Sequence, residues 1–380
     1  GVAVWLTRFI YTGLRHVAYV AFISSLTVLL VTPLVASLAR RRGAVDQPGD
    51  PRKIHARAVP RWGGIAIFCG VFFGSMSSYF FMHEIQAVML ATGLIFITGI
   101  IDDLTGLPEK LRGFVQIAAA LLLVFSGIQV TLFPPVWWGI ILRVLITVLW
   151  LVGITNAVNF LDGMNGLVSG IGATSAFTFT VLALLLNQPA LAYCSVALFA
   201  ACVTFLGYNT KPARIFLGDC GSTTIGFLLG ALGLLGTWSA PSGSRVLSFL
   251  VPVCILNVAI YDMIFTTVER VVSGKVRSFS EWLSFTGTDH IHHRFNALGW
   301  DRTQTVMAIW FLNFSVSLSA VMLINAPFYF GLVVIAQVIC IYLIVAMLEL
   351  IGMHNRRISF IYRMRSKKPP ETIPLPDQPD

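Results

Sequence analysis

Apolar stretches of about 17 to 25 residues, each long enough to cross a hydrocarbon layer roughly 30 Å thick, recur along almost the whole chain with short polar interruptions. Eleven are read, at residues 16–39, 63–82, 85–101, 111–130, 137–155, 166–186, 189–207, 221–238, 246–268, 303–324 and 327–351. In lipid a backbone must satisfy its own hydrogen bonds, so segments of this length are expected to be helices. They occupy well over half of the 380 residues and leave no room for a large soluble domain. The expected fold is therefore an all-α integral membrane protein, a polytopic bundle of about eleven transmembrane helices, with ten also compatible. Composition agrees: 56% of residues are hydrophobic and only 11% charged, against about a quarter charged in soluble chains. A water-facing surface cannot be built from so few charges, which excludes a cytosolic enzyme, a disordered regulator and a nucleic-acid module. Cys69, Cys194, Cys202, Cys254 and Cys340 lie inside apolar runs and only Cys220 in a loop, so no disulfide framework follows. The first helix follows Arg8 and Arg15 without a small-residue cleavage site and reads as a retained span.

The net charge of +9 then becomes a statement about topology. Of the 26 lysines and arginines, 22 fall in connections on one side of the membrane or in the C-terminal tail. By the positive-inside rule that side is cytoplasmic, which puts the N-terminus outside and the Pro-rich 369–380 inside as disorder. Asp102, Asp103, Asp162 and Asp219 gather at the same ends, while Glu84 is the only carboxylate of the outer connections. Any chemistry belongs to the cytoplasmic face. Residues 1–352 read as one catalytic domain with inner loops 40–62, 102–110, 156–165, 208–220 and 269–302, and residues 353–380 as a basic tail.

Four loops carry chemically useful residues. IDDLTGLPEK (101–110) sets Asp102 and Asp103 at the mouth of a helix with Lys110 beyond; adjacent carboxylates repel and want a cation or proton between them, although a solvated loop also takes such a pair. NAVNFLDGMNGL (156–167) places Asn156, Asn159, Asp162 and Asn165 three apart, oxygens suited to a hard cation or a heterocycle, with Gly163 and Gly166 allowing close backbone approach. IFLGDCGSTTIGF (215–227) presents Asp219 between glycines at a helix start, where amides attract an anion and the carboxylate can hold a metal; Ser222 reads as an N-cap and Phe216 as a stacking platform or a packing residue. DHIHHRF (289–295) concentrates His290, His292, His293 and Arg294. It lacks the spaced fourth ligand of structural zinc, so a phosphate-binding cluster is preferred. Asp262, inside an apolar run, needs a partner, with Arg270 and Arg277 the candidates.

In this order the motifs, preceded by RKIHARAVPRWGG (52–64), resemble the polyprenyl-phosphate N-acetylhexosamine-1-phosphate transferases over about residues 40 to 302. The resemblance implies transfer of a sugar 1-phosphate from a UDP-sugar to a polyprenyl phosphate, with release of UMP. It implies Mg2+ as cofactor, with Mn2+ as a substitute, held by Asp219 and Asn159. Asp102 and Asp103 match the catalytic aspartate pair, and His292 and His293 the catalytic cluster near the donor phosphates. Lys110, Asn156, Asp162, Asn165, Phe216 and Arg294 match substrate-binding positions, Phe216 stacking on uracil and Asn165 contacting it where bacterial members usually carry Asp. The partners implied are a UDP-N-acetylhexosamine, undecaprenyl phosphate and membrane lipid in a bacterial inner membrane, with no nucleic acid; a homodimer is left open. The form HIHHR, with Arg294 for a third histidine and Asn296 for an acidic residue, points to a simple donor such as UDP-N-acetylglucosamine. The peptidoglycan-type transferase for a peptide-bearing donor is the alternative. A transporter would place its polar groups mid-span, and the tight aspartate run of a CDP-alcohol phosphotransferase is missing.

Overall fold

The computed structural model describes residues 2–46, 58–79, 82–210, 212–238, 244–278, 281, 287, 289–324 and 326–366. Among these the chain forms α1 (Val2–Arg42), the strands β1 (Val45–Asp46) and β2 (Val59–Pro60), α2 (Gly63–Tyr79), α3 (His83–Thr105), α4 (Glu109–Phe125), α5 (Trp137–Phe160), α6 (Leu167–Leu185), α7 (Pro189–Asn209), α8 (Asp219–Leu235), α9 (Arg245–Ile255), α10 (Asn257–Val272), α11 (Ile291–Ala297), α12 (Arg302–Leu323) and α13 (Phe328–Ser366). Each of the eleven apolar segments is helical over most of its described length, and the protein is an all-α polytopic membrane protein. Seven helices are individually long and apolar enough to cross a membrane, eight if α9 and α10 form one broken span. The other three expected spans, α2, α4 and α8, are 17 residues each. Residues 353–366, expected to begin a tail, continue α13; the expected disorder at 369–380 and the basic residues Arg52, Lys53, Arg57 and Lys211 lie outside the described residues.

The bundle is layered around α8, buried from Cys220 to Gly233 and packed against α3 and α5, while α1, α2, α6 and α7 close the other side. Over residues 328–352 α13 leaves most of its side chains exposed, as a lipid-facing helix should. Local sequence sets the ends. Gly106, at φ 66°, terminates α3 with its N–H on Asp102 O. Asp301 and Gln304 form a reciprocal capping box that starts α12.

The segment 246–268, expected as one span, breaks between Ile255 and Asn257 with an 86° bend. Pro252 weakens the helix just before the break by removing an N–H, but a turn at membrane depth also leaves carbonyls without partners. Side chains of neighbouring helices take these up: Ile255 O accepts from Ser175 Oγ at 3.1 Å and Ser317 Oγ at 3.2 Å, and Cys254 O from Asn257 Nδ2 at 2.7 Å. Asn313 Nδ2 in turn donates to Thr174 Oγ1 at 2.8 Å and Ser175 Oγ at 3.0 Å, and Tyr342 Oη donates to Asn257 Oδ1. The bend is thus fixed by α6, α12 and α13 together. Asn313→Ala removes two donors from this network and should lower stability in mild detergent by about 1–2 kcal/mol, read from the midpoint of thermal unfolding. An unchanged midpoint would mean that the bend holds itself.

Candidate active site

Loops distant in sequence close onto one another at one end of the bundle. The β1–β2 ribbon runs into α2 and lies along residues 215–218: Phe216 N donates to Pro60 O at 2.8 Å, and Gly63 N and Gly64 N donate to Phe216 O and Leu217 O at 2.9 Å each. This fixes Phe216 half-buried beside the ribbon. Glycine is required here for close approach, since a Cβ at Gly64 would stand 2.6 Å from the Cys220 carbonyl carbon and one at Gly99 on α3 2.5 Å from Cys220 Cα.

The start of α8 has no side-chain cap of its own. Asp103, 116 residues earlier, supplies it, accepting from Asp219 N at 2.9 Å and Cys220 N at 3.2 Å. A carboxylate on these amides satisfies two orphan donors and complements the positive end of the helix. Ser222, expected as the cap, instead donates to Asn159 Oδ1 at 2.5 Å and joins the end of α5 to α8. Asp102 turns the other way, accepting from Leu107 N at 2.6 Å and Arg112 Nη1 at 2.8 Å. The two aspartates therefore relieve their repulsion by taking different partners rather than by sharing a cation. Lys110 is exposed on the first turn of α4, and Arg112 is the cation on Asp102.

Asn156 and Asn159 lie in the last two turns of α5. Asn156 Nδ2 donates to Gln116 Oε1 and to Val152 O, both at 2.8 Å, so it joins α5 to α4. Asp162 and Asn165 sit on the turn that follows. That turn is held by Asn209, a buried residue whose Oδ1 accepts from Gly166 N at 2.8 Å and whose Nδ2 donates to Ile215 O at 3.1 Å. One amide thereby ties the Asn165 turn to the Phe216 loop. Asp162 opens to solvent, yet the surrounding protein, then the charges of Asp219 and Asp103, push it up to about 8, with Arg61 opposing. Three carboxylates and one guanidinium thus share an electrostatic neighbourhood. Arg61 is steered there by a 2.6 Å ion pair to Asp46 across the ribbon.

His292 completes the cluster. It is 1% exposed, lies against Gly163, where a Cβ would collide with its Nε2, and neither ring nitrogen has a hydrogen-bond partner among the described residues. Burial, then the positive charges of His293, His290 and Arg294, hold it well below the usual histidine range. It is therefore neutral at pH 7, able to donate from one nitrogen and accept at the other. His293 stands 4.2 Å from it, and His290 stacks between Phe160 at 5.6 Å and His292 at 6.2 Å. Arg294 departs from expectation: it is 3% exposed and turned into the protein toward Asp262 and Glu349. Asp262 pairs with Arg294 and His290, while Arg270 pairs with Asp289, whose carboxyl is held below the usual range because these bonds outweigh the effect of its burial.

Among the described residues no three carboxylate, histidine or cysteine side chains form a ready-made metal cage. The donors present still fit a hard cation that keeps its waters and completes its shell with substrate oxygens, the habit of Mg2+. Mutually repelling carboxylates beside the Asn159 oxygen favour such a charge. Sequence reasoning passed over Arg61 and Asn209; Arg61 does stand between Pro60 and Gly63–Gly64, a visible sign that it belongs to the loop.

Residues 85–237, spanning α3 to α8, match the model of Glycosyl transferase family 4. The chain is 34% identical over 348 residues, 89% of its length and 93% of the relative's, to the probable undecaprenyl-phosphate N-acetylglucosaminyl 1-phosphate transferase of Bacillus subtilis. It is 31% identical to the decaprenyl-phosphate N-acetylglucosaminephosphotransferase of Mycolicibacterium smegmatis, over 78% of this chain and 79% of that one. The phospho-N-acetylmuramoyl-pentapeptide-transferase of Petrotoga mobilis is more distant, at 26% over 79% of this chain and 96% of that one. The chain belongs to the Glycosyl transferase 4 family of polyprenyl-phosphate sugar-phosphate transferases.

Gly163→Ala forces a methyl into the His292 ring and should destabilise the protein by about 1–3 kcal/mol, the usual cost of overpacking. Gly153→Ala on α5, where a Cβ meets nothing within 4 Å, is the control and should leave the unfolding midpoint unchanged or raise it. Equal effects would show that His292 does not rest on the turn.

Proposed function

We propose that this protein transfers N-acetylhexosamine 1-phosphate, GlcNAc 1-phosphate foremost, from a UDP-sugar to undecaprenyl or another polyprenyl phosphate. UMP is released, and a cell-envelope polysaccharide is started on a lipid carrier. The observation that carries the reading is the convergence of Asp103, Asp162, Asp219, Arg61 and His292 at one end of an apolar bundle, in a chain with relatives at 31% and 34% identity whose names give this kind of transfer. An oxygen of the lipid phosphate attacks the sugar-linked phosphorus of the diphosphate; that P–O bond forms as the P–O bond to UMP breaks. The attacking phosphate is already ionised at neutral pH, so the protein's task is to place two anions together and to stabilise the charge that grows on the leaving UMP.

Each element has a share in this. Phe216 and Asn165 are assigned to uracil. Asp103 holds the start of α8, and with it Asp219, in register. Arg61 is the guanidinium for substrate phosphate, and neutral His292, with His293, donates to a phosphate oxygen. Asp219 and Asn159, with Asp162 beside them, would hold Mg2+, which when bound neutralises the diphosphate and the departing UMP. The excess of basic residues in the inner connections supports a site facing the cytoplasm in an inner membrane. Arg294 takes no part in donor choice here, and the preference for a simple N-acetylhexosamine rests on the relatives.

The test is UMP release by the purified protein with undecaprenyl phosphate, Mg2+ and a panel of donors. UDP-N-acetylglucosamine should turn over and UDP-N-acetylmuramoyl-pentapeptide should not, and Asp219→Asn should slow the reaction by about a hundredfold or more. Turnover of the pentapeptide donor alone would make this a peptidoglycan-type enzyme; turnover of none would remove the reading. A second expectation follows from Asp162. With its pKa raised to about 8, it carries a proton at pH 7 in the cation-free protein; a divalent cation beside it favours the ionised form, so binding should expel up to one proton at pH 7 and almost none above pH 9. Calorimetry in buffers of different ionisation enthalpy reads this directly, and cation binding without proton release at pH 7 would place Asp162 away from the cation.

A further inference from the structure

The buried charges behind His292 form an assembly that meets the candidate site through His290, which stacks on Phe160 and His292. Arg294 Nη2 donates to Asp262 Oδ1 at 3.0 Å, its Nη1 to Asp289 O at 2.5 Å, and its Nε lies 3.1 Å from Glu349 Oε2, while the guanidinium covers the Phe265 ring at 4.3 Å. Both Nη atoms donate and Nε faces Glu349 in an ion pair, and at 3% exposure the guanidinium is closed off from substrate. Glu349 is wholly buried in the last membrane helix and accepts a hydrogen bond from Tyr261 Oη at 2.8 Å. A carboxylate there, inside an apolar run, is costly unless it does something specific.

Its position shows what that is. Asp262 also accepts from Ile291 N at 2.6 Å and His290 Nδ1 at 2.7 Å, capping the first residue of α11. At the other end of α11, Leu298 lies against Gly352, where a Cβ would stand 2.8 Å from Leu298 Cδ2. The short helix is thus held to α10 and α13 along one side. Residues two apart on a helix point about 200° apart, so when Arg294 faces Glu349, His292 faces Gly163.

We infer that Glu349 is a positioning residue: by anchoring Arg294 from the last membrane helix, it seats α11 so that His292 is pressed onto the Gly163 turn. The part of this that concerns turnover rests on the proposed function; the seating of His292 does not.

The experiment uses the full-length protein in detergent and diethyl pyrocarbonate, which acylates neutral imidazole, with peptide mass spectrometry to follow His292 alone. Glu349→Met removes both oxygens at similar length and leaves Arg294 with Asp262 as its remaining carboxylate partner, untied from the last membrane helix, so His292 should be modified about tenfold faster or more than in the wild type. Glu349→Gln, which keeps an acceptor, should fall between. An unchanged His292 rate in Glu349→Met, with unfolding midpoints close to wild type, overturns the inference. If Glu349→Met cannot be purified, Tyr261→Phe replaces it, removing only the hydroxyl on Glu349; about threefold faster modification supports the assignment and no change overturns it. A second readout is the cycle of Arg294→Met, Glu349→Met and the double variant on kcat/KM for UMP release. If Arg294 acts through Glu349, the double variant is no worse than the worse single; if the losses multiply, Arg294 acts on substrate by itself and the inference falls. A wild type that releases no UMP would end the proposed function while leaving the His292 measurement standing.

Discussion

The start of α8 sits in a notch that only glycines leave open. Gly64 of α2 and Gly99 of α3 both meet the Cys220 backbone closely enough to exclude a side chain, and into that notch Asp103 sends the carboxylate that takes the first two amides of α8. An uncapped helix start buried at a membrane boundary would leave donors unsatisfied at several kcal/mol each. The anion from α3 removes that cost and at the same time aligns Asp219. The Phe216 loop runs along the β2–α2 junction because the same approach brings their backbones into hydrogen-bonding range. Helix packing, capping and the placing of the site carboxylate are therefore one arrangement, and a change at any of these glycines disturbs all three.

The helices were legible in the sequence because membrane thickness imposes a length on apolar runs, and every run read as helical is helical. The break at Leu256 was less so: Pro252, Asn257 and Asp262 interrupt the run, but only the neighbours Ser175, Ser317 and Asn313 make a sharp bend affordable, and they lie on other helices. The four loops were legible for a similar reason, since polar residues between apolar spans have few other places to be. What could not be read was direction. Asp102 and Asp103 are adjacent and chemically identical, yet one faces Arg112 and the other the amides of α8. Arg294 looks like a phosphate ligand among histidines until its partner, Glu349, is found in a segment that reads as plain membrane helix. Asn209, a loop-end asparagine like many, proved to join two loops. Such assignments depend on long-range neighbours, which periodicity and spacing do not encode.

The two charged assemblies at this end of the protein differ in a way that separates scaffold from site. Behind the histidines, Asp262, Asp289 and Glu349 face Arg270, Arg294 and His290 with bonds of 2.7 to 3.1 Å, and the charges nearly balance. Such a cluster resists change, because removing one member strands another in a dry surround. In front of them, Asp103, Asp162 and Asp219 have Arg61 as the shared opposing charge, and Asp162 is driven to hold a proton. This second group is unsatisfied by the protein alone. On the proposed function, a cation arriving with a diphosphate would relieve it, so part of the binding energy for that pair would be stored as repulsion among the carboxylates. His292, buried without a hydrogen-bond partner among the described residues and set between the two assemblies, is unsatisfied in the same sense. On the proposed function and the inference above, the balanced cluster seats the histidine, and the unbalanced one draws in the cation that would bring a phosphate to it.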